Sequence, residues 1–460
     1  MQDYLFLGFS DKERIVICVM KTFEKLLLGS VAILAAACFT VSCDKGQDVL
    51  AEEGSGIIDL INAEEEKTIV EDNKDAQPYV FPETRLSLSE EDMKNIVPGN
   101  DFTFKYFAKE YKDAKNHPAS ILSSPFSVQV VCGMMGNQID DNSALCKMLG
   151  IDGDINDVNS YFNKIIKDVE NIGGEAKLTI ANAFMKDVYA KSFPDDFISR
   201  LKDSYLADYL EFEAKTIEEQ PCGERPEDLW VKDKTEGMID SAPEAILSKM
   251  ASLFNVLCFK GTWVDKFDSK NTWEGGFYID KNTVLDRLLM TRTGSYPLYK
   301  GDAFSALSMP MGDGSYHFTI ILPKTVTSLD AVVESLNANV WNTIREKAMN
   351  QKVALMIPRF SLSFNEDAVL KYVDRSFLDS YYAQMESMGM GDLRVSRVKQ
   401  KAKIDVDEDG TAAAVVTQAI ICTASGSGPQ IETFAANHPF VFIISEAGSG
   451  LVLFMGTYSG

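Results

Sequence analysis

Residues 401–439 read KAKIDVDEDGTAAAVVTQAIICTASGSGPQIETFAANHP, and this stretch decides the fold. Residues 402–406 alternate small or apolar side chains with charged ones, which predicts a half-buried strand, and the acidic turn 407–410 follows. Between residues 411 and 431 the only ionisable side chain is the Cys422 thiol. This run of alanine, valine and isoleucine therefore has the composition of a buried strand.

The same run ends in residues 423–429, TASGSGP, which have the composition of an exposed flexible loop. A strand-like segment with loop-like flanks indicates two alternative locations for one piece of chain. The simpler alternative is an ordinary central strand followed by a surface turn, and composition alone leaves both interpretations open.

The composition excludes several classes of protein. The 460 residues carry a net charge of -23, which argues against a nucleic-acid partner because neutralising phosphates requires clustered Lys and Arg. The eight cysteines show no CxxC or CxxH spacing, and none of His117, His317 and His438 lies in an HExxH pattern. No GxSxG elbow or GxxxxGK[ST] loop is present. We therefore predict neither an enzyme nor a metal or cofactor site, and a packed structural role for His438.

The amino terminus has the pattern of an export signal. Lys21 and Lys25 precede the apolar residues 26–41, which are too few to span a bilayer comfortably and end at Ser42-Cys43-Asp44. This ending resembles the lipobox of bacterial lipoproteins, with Cys43 as the lipidated residue and Cys38 as the alternative. The predicted location is a bacterial envelope, at the outer membrane or cell surface.

Three regions are predicted along the chain. Residues 1–43 form the signal peptide, and the resemblance of Met20-Lys21 to a natural start leaves open whether residues 1–19 are translated. The acidic residues 44–95 form a flexible tether, and residues 96–460 form one globular domain. In that domain helical patterns dominate early and strand patterns dominate late, which indicates an α+β fold.

Several motifs of the domain, in this order along the chain, resemble those of the serpin family. They are Ser124-Pro125-Phe126-Ser127 (SPxS), Trp230 with Thr235 and Gly237 (WVxxxTxGxI), residues 255–263 NVLCFKGTW (NxxxFKGxW), residues 401–417 (KAxIxVxExGTxAAAxT), and residues 437–440 NHPF with 454–456 FMG. The resemblance covers residues 97–460. It implies helices packed on three β-sheets and an exposed reactive-centre loop, about residues 408–432, that can insert into the central sheet.

The resemblance assigns roles to the opening stretch. Glu408 and Gly410 match the hinge, and Thr411 is the first inserting residue, followed by Ala412, Ala413 and Ala414. Neither face of the strand that would insert carries an ionised group, whose desolvation would cost several kcal/mol. The hinge is thus of the inhibitory type.

The implied activity is suicide inhibition of a protease. The catalytic Ser, or Cys, of the target attacks the loop, and loop insertion then traps the acyl-enzyme. The family's loop length places the cleaved bond at Ala424–Ser425, with Thr423 and Cys422 as alternative acyl donors. A small acyl residue implies an elastase-like serine protease, or a cysteine protease, as partner, and a monomeric inhibitor.

Two departures from the family pattern stand out. The sheet-opening cluster, Ser124, Ser127, Asn255, Trp263 and Gln400, has Gln400 where the family usually has histidine. Residues 361–394 do not match the family pattern, and their structure stays open. The alternative function is a non-inhibitory serpin that is merely cleaved or that binds a ligand.

Overall fold

A computed structural model describes residues 77–114, 118–215, 222–242, 245–326, 328–366, 369–389, 400–410 and 431–460 of the chain. These residues form ten α-helices: α1 Glu90–Lys94, α2 Ile96–Asp113, α3 Pro125–Gly136, α4 Ser143–Leu149, α5 Ile155–Val169, α6 Asp195–Tyr205, α7 Pro226–Lys234, α8 Leu329–Ser335, α9 Ala338–Glu346 and α10 Arg375–Ser387. None of these helices is both long enough and apolar enough to cross a membrane.

The same residues form fifteen strands. They are β1 Gln77–Pro78, β2 Ile121–Ser123, β3 Lys177–Asp187, β4 Asp208–Phe212, β5 Ala251–Lys260, β6 Thr272–Tyr278, β7 Val284–Lys300, β8 Phe304–Met311, β9 Tyr316–Pro323, β10 Met349–Pro358, β11 Phe360–Glu366, β12 Gln400–Val406, β13 Glu432–Ala435, β14 Phe440–Glu446 and β15 Val452–Tyr458. The mixture of helices and largely antiparallel strands confirms the α+β prediction.

The largest sheet has ten strands. Its main path is β1-β10-β7-β8-β9-β14-β15-β2, with β6 paired to β7 and β13 paired to β10. Because β7 runs along one edge of β10 over its whole length, β1 and β13 must share the other edge. Strands β14 and β15 form the carboxy-terminal hairpin, and every residue of both strands is buried.

Two smaller sheets complete the fold. Strands β4, β3 and β5 form one, and the antiparallel pair β11–β12 forms the other. Strand β5 is apolar except at a few positions because helix α3 packs on it and strands β3 and β12 lie on either side of it. The described strands form three sheets by hydrogen bonding, but the two smaller ones are parts of what the family resemblance implies as one central sheet.

Helix α3 lies in the core of the domain. All twelve of its residues are buried. Ser124 is its N-cap and accepts a hydrogen bond from the Ser127 amide at 3.3 Å, and Pro125 occupies the first turn, where its missing N–H is not needed. This helix therefore presents Ser127 to the three-stranded sheet from a fixed position.

Residues 77–95, which the sequence assigned to the tether, are folded against the domain. Residues 77–78 form β1, Leu86 is buried in the main core, and α1 begins at a Ser89 capping box closed by Asp92. The tether was predicted from the acidic composition of residues 44–95 as a whole, in which these few apolar and capping residues carry little weight. The described chain is thus already in contact with the domain at Gln77, well before residue 96.

The stretch 361–394, left open by the sequence, contains β11, a 3₁₀ turn at Val369–Tyr372 and helix α10. Asp374 caps α10 by accepting from the Ser376 amide at 2.8 Å. Phe377 and Tyr381 of this helix are buried, and the Tyr381 hydroxyl donates to Gln138 at 2.8 Å. The helix is thereby fixed beside α4.

Candidate functional site

Strands β5 and β12 lie side by side, yet within the described residues no ladder of hydrogen bonds joins them. Their carboxyl ends meet, because the Trp263 amide donates to the Asp409 carbonyl at 3.0 Å and the Phe267 amide to the Glu408 carbonyl at 2.9 Å. The two strands thus run parallel and leave an unpaired position between the three-stranded and two-stranded sheets.

A tight turn closes the carboxyl end of this position. The Asp407 carboxylate accepts from the Asp409 amide at 3.0 Å and the Gly410 amide at 3.2 Å. Gly410 has φ +122°, a region that favours glycine, and a Cβ there would overlap the Gly261 carbonyl. The acidic residues predicted as a turn therefore form one, and Gly410 is required both by its backbone angle and by its contact.

Glu408 is buried within this turn. Its carboxylate accepts from the Thr272 hydroxyl at 2.7 Å and lies 3.7 Å from the guanidinium of Arg359. Thr272 begins β6, and Arg359 lies between β10 and β11. The hinge carboxylate thus connects the end of β12 to the ten-stranded sheet.

Trp263 covers the same end of this unpaired position, here called the gap between β5 and β12. Its indole N–H donates to the Asp407 carbonyl at 2.7 Å, and its ring lies edge-on to Phe318 at 5.6 Å. The side chain is almost fully buried. Trp263 therefore lies at the hinge turn, next to Asp407.

A chain of buried polar side chains crosses the middle of the three-stranded sheet. The Ser127 hydroxyl donates to the Asn255 side-chain oxygen, and the Asn255 amide donates to Asn182 at 2.7 Å. Asn182 donates in turn to the Tyr205 carbonyl at 2.7 Å. Each group is buried and each amide is paired, which is what burial of a polar group requires. The chain joins α3, β5, β3 and the end of α6.

The other predicted members of the sheet-opening cluster lie elsewhere. The Ser124 hydroxyl caps α3 and donates to the Leu453 carbonyl of β15 at 2.7 Å. Gln400 is the first residue of β12, paired in register with Glu366. Of the five predicted residues, the structure brings Ser127 and Asn255 into direct contact.

Several predicted site residues lie outside the described residues. They are Cys43, Thr411, Ala412, Ala413, Ala414, Cys422, Thr423, Ala424 and Ser425. The structure thus describes the hinge as far as Gly410 and the chain again from Ile431, where β13 follows.

Sequence reasoning missed Asn182, Thr272 and Arg359. Asn182 lies in the apolar run Ile180–Phe184, and a polar residue within such a run is the signal that could have found it. Thr272 and Arg359 gave no signal, because they meet Glu408 only through the tertiary fold. His438 has its predicted structural role: its Nε2 lies 2.8 Å from the Pro323 carbonyl, and burial lowers its pKa.

No group of acidic, histidine or cysteine side chains within the described residues is arranged to hold a metal ion. Cys132, Cys146, Cys222 and Cys258 are free thiols. Burial raises the pKa of Cys132 and Cys258, the latter to about 11, which keeps both thiols protonated and poorly nucleophilic at neutral pH.

Comparison with known proteins places these features in a family. The family model described as Serpin (serine protease inhibitor) matches residues 98–460. Serpin B6 of Macaca fascicularis is 27% identical over 365 residues, covering 75% of this chain and 94% of that protein. The human leukocyte elastase inhibitor is 28% identical over 369 residues, with the same two coverages.

Solved structures agree on the fold. The thermophilic serpin tengpin in its native state covers 84% of this chain and 97% of its own, at 24% identity and a TM-score of 0.66. Human thyroxine-binding globulin with its ligand covers 80% and 98%, at 20% identity and a TM-score of 0.65. The interrupted central sheet, the hinge turn at its open end and the family match over residues 98–460 lead to one conclusion: this chain belongs to the serpin family.

Proposed function

We propose that this serpin inhibits a serine protease of elastase-like specificity by acting as its suicide substrate. The protease cleaves the loop at Ala424–Ser425 and stays bound as an acyl-enzyme while the freed loop inserts between β5 and β12. Thr423 and Cys422 are the alternative acyl donors, and a cysteine protease is the alternative target.

The unpaired position between β5 and β12 is the observation that carries this proposal. The loop leaves the end of β12 at Gly410, so an inserting segment must fold back and run antiparallel to both neighbours. Such a strand would satisfy the backbone groups along β5 and β12 that face the gap.

The length and chemistry of the loop fit that position. Residues 411–421 would span about 36 Å as a strand, against about 33 Å for the ten residues of β5. Their side chains include no ionised group, so either face can be buried without desolvating a charge.

The test is incubation with elastase-like proteases, followed by electrophoresis under denaturing conditions. A covalent band of summed mass supports inhibition, and the released carboxy-terminal fragment should begin at Ser425. A fragment that begins at Thr423 or Ala424 moves the bond within the loop without changing the mechanism. Cleavage with no covalent band and no gain in thermal stability refutes the mechanism.

The same gel distinguishes inhibition from the alternative function. In that alternative, the serpin is cleaved without trapping the protease or binds a ligand. The fold alone does not decide, since thyroxine-binding globulin shares it. The inhibitory reading is favoured by Thr411 and by the alanines that follow, where a charge or a proline would hinder insertion.

We further propose that Cys43 carries lipid and holds the domain at a bacterial envelope, as a monomer. The signal-like residues 20–43 support this, with Cys38 as the competing site. Mass spectrometry of the mature chain should find a diacylated or triacylated Cys43, and an unmodified Cys43 overturns the proposal.

A further inference from the structure

Residues 77–87, here called the strap, cross the molecule in an extended path. At one end Gln77 and Pro78 pair with Asn350 and Met349 of β10, and the Tyr79 amide donates to the Ala348 carbonyl at 2.9 Å. From this edge of the ten-stranded sheet the strap runs to helix α5.

The middle of the strap covers a buried cation. The guanidinium of Arg345 lies 4.2 Å from the Phe81 ring and 5.9 Å from the Trp341 ring. It donates to the carbonyls of Ala447 at 2.7 Å and Gly448 at 2.9 Å. Burial lowers the pKa of Arg345 to about 10, so the group is still charged at neutral pH and depends on these contacts.

A single buried carboxylate fixes the next part of the strap. Glu446 accepts from the Thr84 hydroxyl at 3.1 Å and from the Ser449 amide and hydroxyl, both at 2.6 Å. A Cβ at Gly448 would overlap the backbone of Thr84, so the strap and the β14–β15 turn are in direct backbone contact. This fit holds the strap in one position on the ten-stranded sheet.

The end of the strap joins two parts of the fold. The Arg85 guanidinium pairs with Asp313, on the turn between β8 and β9 of the ten-stranded sheet. Two residues later, the Ser87 amide and hydroxyl donate to Asp168 of α5.

Helix α5 packs against β3 of the three-stranded sheet. Directly after the strap, Asp92 of α1 pairs with Lys164 of α5 at 2.6 Å. The chain from Arg85 to Asp92 therefore ties the ten-stranded sheet to the helix that lies on the three-stranded sheet.

We propose that the strap resists separation of β5 from β12 and so sets how readily the central sheet admits a new strand. A new strand between them requires the two sheets to move apart by about 4.8 Å. Strand β11 follows β10 through the single residue Arg359, so we expect β11–β12 to stay with the ten-stranded sheet while β3, and α5 packed on it, move with β5. The Tyr316 hydroxyl of β9 also donates to the Val169 carbonyl of α5 at 2.7 Å, and this bond must break in the same movement. The Arg85–Asp313 and Ser87–Asp168 contacts cannot both survive such a movement, because a hydrogen bond is lost well within that distance.

This inference rests on the proposed function, since it concerns the same gap, but its test does not need a protease. The variant Arg85→Ala/Asp168→Ala removes both contacts, because Asp168 accepts from the amide and from the hydroxyl of Ser87. Neither Arg85 nor Asp168 is buried, so the core is untouched. Val80→Ala is the matched control, because Val80 is a strap residue that is 84% exposed. Amide hydrogen exchange is measured over residues 251–260 and 400–406.

The double variant should exchange about fivefold faster in both strands, as expected for two partly exposed polar contacts, and Val80→Ala should match the unaltered chain. Gly448→Ala, which displaces the strap without altering Arg85 or Asp168, should act in the same direction. Unchanged exchange in β5 and β12, together with faster exchange in residues 79–87, would overturn the inference.

A second measurement separates this inference from the proposed function. A fluorescent peptide with the sequence of residues 411–421 is added, and its rate of incorporation is followed by anisotropy. Faster incorporation into the double variant supports the strap's role, and an equal rate in all variants contradicts it. If no variant accepts the peptide and none traps a protease, the proposed function fails, whereas the exchange rates of β5 and β12 still decide the role of the strap.

Discussion

Replacing Glu408 by alanine tests whether the hinge carboxylate holds β5 and β12 together at their carboxyl ends. The substitution removes the acceptor of the Thr272 hydroxyl at 2.7 Å and the partner of Arg359 at 3.7 Å. A buried hydrogen bond to a charged group contributes about 1.5–3 kcal/mol. The ion pair adds less than about 1 kcal/mol because Arg359 is one-third exposed. We expect the native state to lose about 2–4 kcal/mol of unfolding free energy.

A double-mutant cycle isolates the hydrogen bond. Thr272→Val keeps the shape of the side chain and removes the donor. The coupling between Glu408→Ala and Thr272→Val should be about 1.5–3 kcal/mol, measured from the first unfolding transition in urea. Asp409→Ala is the control, since its pair with Lys266 joins two half-exposed side chains and should contribute little.

The cleaved form offers a second control. If insertion draws the hinge into the sheet, the stability of the cleaved protein should not depend on the Glu408–Thr272 bond. Single-variant effects that add to the double-variant effect within about 0.5 kcal/mol would refute the reasoning, because the two side chains would then act independently.

Three further predictions follow from the same structure. Thr411→Arg should convert inhibitor to substrate, since insertion would bury a charge at a cost of several kcal/mol, whereas Thr411→Ser should not; an unchanged stoichiometry of inhibition contradicts this. Asn255→Ala should lower the unfolding free energy by about 1–3 kcal/mol, because Asn182 loses its donor at 2.7 Å, and a thermal midpoint equal to that of the unaltered chain would exclude a stabilising role. Burial, with a smaller contribution from Arg345, lowers the pKa of His317 to about 3, so the native state binds fewer protons than the unfolded state between pH 3 and about 6.5. The unfolding free energy should therefore decrease as the pH is lowered from about 6.5 to 3, by up to about 1.4 kcal/mol per pH unit from this group. His317→Gln should remove that part of the slope in urea titrations at different pH values.

Local sequence was sufficient where the structure depends on neighbouring residues. The helix after Ser124 follows from its cap and proline, the turn at residues 407–410 from its acidic residues and glycine, and the hairpin of β14 and β15 from two apolar runs around a glycine-containing turn. The order of several weak motifs identified the family, because their joint occurrence is far more specific than any single one.

The tertiary contacts could not be predicted from the sequence. Ser124 and Ser127 lie within one turn of α3, and only the capping geometry decides that Ser127, and not the cap residue, points to Asn255. The packing of the strap was not predicted, because the acidic residues before it outweigh Phe81 and Leu86 in the composition of residues 44–95. Its partner Glu446 lies more than 350 residues away, so no local pattern could connect the two.

The position of β14 and β15 inside the ten-stranded sheet, between β9 and β2, has a consequence for the cleaved molecule. Cutting the chain at residue 424 leaves β13, β14 and β15 on a separate peptide, but both hairpin strands are wholly buried and paired with β9 and β2. The severed piece should therefore copurify with the rest until it is denatured. Under the proposed mechanism, the captured protease would be esterified to the other piece, whose mature chain would begin at Cys43. Under the proposed lipidation, a single uninterrupted set of covalent bonds would run from the membrane to the trapped enzyme.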